Sequence, residues 1–508
     1  MARPSLTELT AAAAAANDPG FTPASVPRFG GVDPLGLRQI NFDLMDQVIP
    51  GLNNVARHIR PFVLVAWAWR RASQLAKNQG SKMIAADRLQ DFVDHIEVIY
   101  VWSQLLVNGD VDLPGSQVLA NLVRAEKWTF GGSAWQQRRN VRRYSTALSA
   151  PVNYGPALKM LGWVQRHPHY PDILMATPAA GPALDAFEQR IGDRLSHPAF
   201  SKFGSVTVTR DEARQWAKAW ALDGVIKAEA QAIAEMLYGS KAPVCRQLAG
   251  ELMFAAAKHS CSTDVERVRS MMAGPPSKFT PSSHLVNTRE AWRRIQVRQL
   301  LRLSLEALFY WILVALEGKP KGTDELVDMF LGQLPTLAKQ TTADNWLATA
   351  VPSNSGPTEL IKKIEKALET PTGADLAPSI AAGLAICLAE PPQELNDFER
   401  SDRLPLFRAR REAAAREKGP TKDFVRHILE SWVLAQHVYW SVGRGLADAR
   451  AQGKNLLRLK VILDENGWTL APGLSRGWPP EPTPDRLRTM ISLATECGLF
   501  NQLQLKNN

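Results

Sequence analysis

Cysteine is scarce in this 508-residue chain: Cys245, Cys261, Cys387 and Cys497 stand far apart, with no CxxC pair among them. That pattern excludes a zinc ribbon and a disulfide framework, and fits a reducing compartment. Long apolar runs are missing too. The longest, FVLVAWAW (Phe62–Trp69) and LEALFYWILVAL (Leu305–Leu316), fall short of the roughly 20 residues that a membrane-spanning helix needs. The N-terminal stretch has an alanine run, but acids precede and follow it (Glu8, Asp18) and the order of a signal peptide is absent. The chain also contains no G-x-x-x-x-G-K-[ST], no H-E-x-x-H, no G-x-S-x-G and no metal-spaced Cys/His cluster. These gaps point to a cytoplasmic protein without a membrane role, and give no reason to expect a metal, a cofactor or a standard catalytic motif.

What is present is positive charge. The net charge is +10, a balance that favours a polyanionic partner. Between Val101 and Tyr170 eight lysines and arginines face only three acids (Asp110, Asp112, Glu126), so half of the excess sits in that stretch. In WQQRRNVRRYSTAL (Trp135–Leu148), Arg138 and Arg142, and Arg139 and Arg143, fall one helical turn apart and form a doubled basic stripe. The stripe reads either as a phosphate-facing surface or as a solvated helix face.

The length implies more than one core, and the spacing of apolar residues is mostly helical, which predicts a mainly α, multidomain protein. Composition breaks divide it into a flexible arm (1–35), a helical N-terminal domain (36–110), a second domain (111–275), a helical domain (285–395) and a C-terminal domain (396–508). Pro61 should open the helix carrying Phe62–Trp69, and Asn108-Gly109 should stop the next one. A long helix after the Pro/Ser-rich break AGPPSKFTPSSH is basic in its first half and apolar in its second. Its arginines (Arg289, Arg293, Arg294, Arg298, Arg302) read best as partners of neighbouring helices. Near the end, Asn466-Gly467 predicts a β-hairpin, with Leu457, Leu459, Val461 and Leu463 on one face. A final helix is expected from a Thr483 cap and Pro484 to a stop at Gly498.

The segment NYGPALKMLGWVQRHPHYPDILMATPAAGPALDAF (Asn153–Phe187) predicts a short helix ended by Gly162. Two strands follow, Trp163–Gln165 and Ile173–Ala176, and then a helix from Ala179 to Ile191. This pattern resembles the MarR/PadR-type winged helix, in which a recognition helix ends at a Leu-Gly pair and the second wing strand runs into a Thr-Pro helix start. The resemblance implies that Asn153, Tyr154 and Lys159 lie on or beside the recognition helix, with Arg166, His167 and His169 in the wing. Gly155-Pro156 leaves about two turns for that helix, too few for deep groove reading. More loosely, DPLGLRQINFDLMDQVIPGLNN, YGPALKMLGWV and TPDRLRTMISLATECGLF resemble uncharacterised bacterial proteins of anti-phage defence islands. That likeness implies other protein subunits as partners.

Other candidates are weaker. Asp91 and His95, with Asp94 and Glu97, could hold a metal, though a solvated acidic face is the plainer reading; His427 beside Glu430 reads as a satisfied core histidine. The expectation is therefore a non-catalytic DNA-binding component of a bacterial complex, contacting duplex phosphates. The alternatives are an adaptor that docks an ATPase or nuclease without touching DNA, and a cryptic metal-dependent nuclease.

Overall fold

The computed structural model describes residues 20–21, 33–78, 86–120, 123–131, 148, 153–168, 173–351, 355–389, 403–452, 456–457, 459–471 and 477–503. It is mainly helical, with four two-stranded sheets among the described residues. The chain forms two compact units, one from residues 1–45, 269–280 and 289–483, the other from 46–268, 281–288 and 484–508. Several boundaries between them fall inside the helices Arg38–Val48, Val265–Ala273 and Val286–Ala315. No Pro/Gly-rich linker marks those points, so composition alone suggests consecutive segments instead.

The second unit is built on the helix Ile59–Asn78. Pro61 sits in its first turn, where a missing N–H costs nothing, and every residue from Ile59 to Trp69 is buried. The helix Ala86–Asn108 packs against it and ends at Gly109, whose φ of 75° closes the turn. The helices Gly181–Ile191 and Lys227–Leu237 cover further sides. Arg60 is fully buried here; its guanidinium pairs with the buried Glu229 and donates to the carbonyls of Ala221 and Gly224. A buried cation persists only when paired and hydrogen-bonded in this way. Burial pushes the Glu229 carboxyl up, while Arg60 draws it back.

In the first unit the helix Val286–Ala315 is the axis. From Ile295 to Leu313 it is buried on every face, as expected for a helix surrounded by others rather than an amphipathic one. The helices Thr323–Gly332, Ala343–Ala350, Pro357–Leu368 and Leu376–Leu388 contribute to the same core. Its polar residues find partners inside: Arg302 bonds Glu306 at 2.6 Å and the carbonyl of Glu481, Arg298 donates to the Leu404 carbonyl at 3.2 Å, and Arg289 to that of Gly274. Three of the five arginines of the stripe thus serve the fold.

The C-terminal hairpin pairs Val461–Asp464 with Gly467–Leu470, with Gly467 at φ 116° in the turn. Val461 is buried but Leu463 is 62% exposed, so the expected apolar face ends after one residue, where the strand runs past the core. The last helix, Leu487–Glu496, starts later than a Thr483 cap would place it. Asp485 accepts the Leu487 N–H, and Arg486 adopts φ 64° with its own N–H on the Asn54 side chain. Hairpin and helix belong to different units.

Candidate nucleic-acid interface

The 153–191 segment folds as a helix–hairpin–helix in the second unit. Residues Gly155–Met160 form the short helix, with Pro156 in its first turn and no side-chain cap. Leu158 and Leu161 point inward, and Gly162 ends the helix at φ 70°. The strands Val164–Arg166 and Leu174–Ala176 pair antiparallel, with Gln165 opposite Met175. Thr177 closes the base of the hairpin: its N–H donates to the Trp163 carbonyl at 2.9 Å and its hydroxyl to the Gly162 carbonyl. The chain then enters the helix Gly181–Ile191 through a single 3-10 turn. The buried indole of Trp163 meets the Met236 sulfur and fixes the hairpin to the helix Lys227–Leu237.

The end of the short helix is held from behind. Gly51 lies at φ 82°, and a Cβ there would come within 2.6 Å of the Met160 Cβ, so only glycine allows this approach. Beside it Arg246, fully buried, donates to the carbonyls of Pro50, Met236 and Leu237. Three backbone acceptors replace the carboxylate that a buried guanidinium usually needs.

Two of the expected contact residues are taken up by this support. Tyr154 is completely buried; its hydroxyl accepts the His58 N–H at 3.2 Å and its ring meets Phe62 edge-on. Burial drives its phenol far above the ordinary range. Asn153 is buried as well, and its carbonyl accepts from Asn53. Both are corrected from nucleic-acid contacts to scaffold. The reason is that Tyr154 closes the space over the start of the Ile59–Asn78 helix, where Glu496 takes the Ile59 N–H at 2.7 Å and the His58 ring at 2.6 Å.

The exposed side chains include Lys159, Met160, Gln165 and Arg166, with His167 half-buried and its N–H on the Ile173 carbonyl. Lys159 at the end of the helix and Arg166 at the end of the first strand are close enough to repel. Partial burial and then Arg166 lower the Lys159 ammonium from its usual range. Among the described residues, no carboxylate forms an ion pair with either. Two neighbouring like charges without a carboxylate partner would attract an anion. Arg138, Arg139, Arg142, Arg143 and His169, and the tryptophan Trp135 beside the stripe, lie outside the described residues.

The metal reading of Asp91 and His95 is not supported. Both are buried, along with Glu97, so the face is not a solvated one either. The His95 Nε2 donates to the Ala199 carbonyl at 2.8 Å, and burial lowers the imidazole to about 4. Among the described residues no three His, Cys, Asp or Glu side chains group as metal ligands, and no helix is long and apolar enough to cross a membrane. The partner of His427 proves to be Glu412, not Glu430.

Sequence reasoning missed Met160, 57% exposed beside Lys159, and Trp478, 89% exposed in the first unit. For Trp478 the run of Pro479, Pro480 and Pro482 was the available signal, because it denies the segment a helix. Compared with known proteins, the chain matches no family model, no curated protein and no solved structure.

Proposed function

We propose that this protein binds nucleic acid through the helix–hairpin of its second unit, gripping phosphates more than reading bases. The observation that supports the reading is the exposed, unpaired Lys159–Arg166 pair, set at the short helix and the hairpin strand that follows it. A six-residue helix whose N-terminal flank is buried has too little surface to enter a major groove, so shape and charge would dominate recognition. The stripe Arg138, Arg139, Arg142 and Arg143 joins the interface on sequence grounds. The loose likeness to defence-island proteins makes a subunit of a bacterial anti-phage complex the setting we propose, with DNA duplex as the ligand.

A second reading, an adaptor that docks an ATPase or nuclease, draws on Trp478, since an exposed tryptophan is a frequent anchor at protein interfaces. Anisotropy of a labelled short duplex at low salt separates the two. The full chain should bind, and the Lys159→Glu/Arg166→Glu variant should lose at least tenfold in affinity while melting like the wild type. Failure of the wild-type chain to bind at low salt would sink the DNA reading in favour of the adaptor.

A further inference from the structure

The first unit carries a constellation that the nucleic-acid reading does not use. The helix Thr421–His427 runs without a break into a π-helical stretch, Ile428–Leu434, and on into the helix Ala435–Gln452. A π turn closes its hydrogen bonds five residues on, and such turns recur at functional sites. Here it places Trp432 one π turn after His427, and both rings reach the same atom. The Glu412 Oε2, from the helix Leu406–Ala414, accepts the Trp432 Nε1–H at 2.7 Å and meets the His427 Nε2 at 3.0 Å. The other oxygen accepts the Arg408 Nε–H at 2.7 Å. Burial alone would raise this carboxyl, but hydrogen bonds from Trp432, Arg408 and His427 outweigh it and hold the group at about 2.

That fixes the direction of the proton chain. An ionised carboxylate can only accept, so the His427 Nε2 carries the hydrogen. In the neutral ring the Nδ1 is then an acceptor, and the Ser431 Oγ stands 3.2 Å from it. With the ring neutral, Ser431 donates to His427, which donates to Glu412. Ser431 is exposed, one turn beyond a half-buried His427. We propose that Ser431, His427 and Glu412 form an acyl-transfer site for small carboxylic esters, with Ser431 as nucleophile, His427 as its base and Glu412 as the group that orients the ring.

The order nucleophile, base, orienting carboxylate is what activates a serine. The two ring nitrogens are exchanged relative to the chymotrypsin arrangement, which leaves the proton path intact. As the Ser431 Oγ attacks the acyl carbon, its proton passes to the His427 Nδ1 and the carbonyl electron pair moves to oxygen. When that pair returns, the bond to the alcohol oxygen breaks and the Nδ1 proton goes to the leaving alcohol. Water then attacks the acyl-serine with the same nitrogen as base and releases the acid. A hollow of about 460 Å³ lies on the loop between the two helices, lined by residues from Ala414 to Phe424 and by none of Ser431, His427 and Glu412, so the ester would meet Ser431 on the open surface. The Ser431 N–H lies within the helical ladder, so turnover should favour activated esters, whose leaving groups need the least assistance.

The test uses the full chain with a fluorophosphonate probe and with p-nitrophenyl acetate. Mass spectrometry should find the probe on Ser431, and Ser431→Ala, an exposed substitution that keeps the fold, should remove it. His427→Gln should slow acylation by about a hundredfold, the size of a lost general base, measured below the melting range of the variant. Incorporation that is equal in Ser431→Ala and wild type, or absent from wild type, overturns the proposal.

Discussion

The arginines of the Val286–Ala315 helix and the cations of the helix–hairpin look alike as sequence, since each set is a basic stripe beside apolar residues. Their settings are opposite. Arg298 and Arg302 are fully buried and bond a carbonyl or a carboxylate from within their own unit, whereas Lys159 and Arg166 stand exposed and repel each other. A cation that the fold consumes leaves nothing for a ligand. One that the fold leaves unpaired is screened by water and salt but stays within reach of a ligand, so exposure and pairing, and not charge count, decide which cations a ligand could meet.

The sharpest break in that comparison comes from disarming a consumed cation. Glu229→Gln would leave Arg60 buried without its counter-charge, and should cost about 3–5 kcal/mol of stability, read as a lower denaturant midpoint. Next comes acid. His95 is held neutral by burial, at about 4 when folded, while the unfolded chain protonates near 6.5. Unfolded chains therefore bind more protons between those values, and stability is present above pH 6.5 and lost as pH falls to about 4. The full loss is on the order of 3 kcal/mol. His95→Gln should flatten this part of the stability–pH curve.

How much of this was legible beforehand follows the range of the interactions. The Gly162 stop, the wing strands and the Asn466-Gly467 hairpin rest on residues a few positions apart, and the sequence reading placed them within a residue or two. Tyr154 was misread because its partner, the His58 N–H, lies 96 positions away, and Arg246 passed unnoticed because it is held by carbonyls, the Pro50 acceptor 196 positions distant. Local pattern cannot carry such contacts. Nor did it carry the contact of His427 with Glu412, which comes from a separate helix 15 positions earlier.

The comparison predicts least for stability, and most for binding, at the exposed pair. Lys159→Ala/Arg166→Ala should melt within about 0.5 kcal/mol of wild type, as surface changes do. The most direct test is the slope of log affinity against log salt for duplex DNA, measured on this variant and on the wild type. The variant's slope should be shallower by about 1 for each cation that touches phosphate, roughly 2 in all. Identical slopes would contradict it, and would leave Lys159 and Arg166 as ordinary solvated side chains.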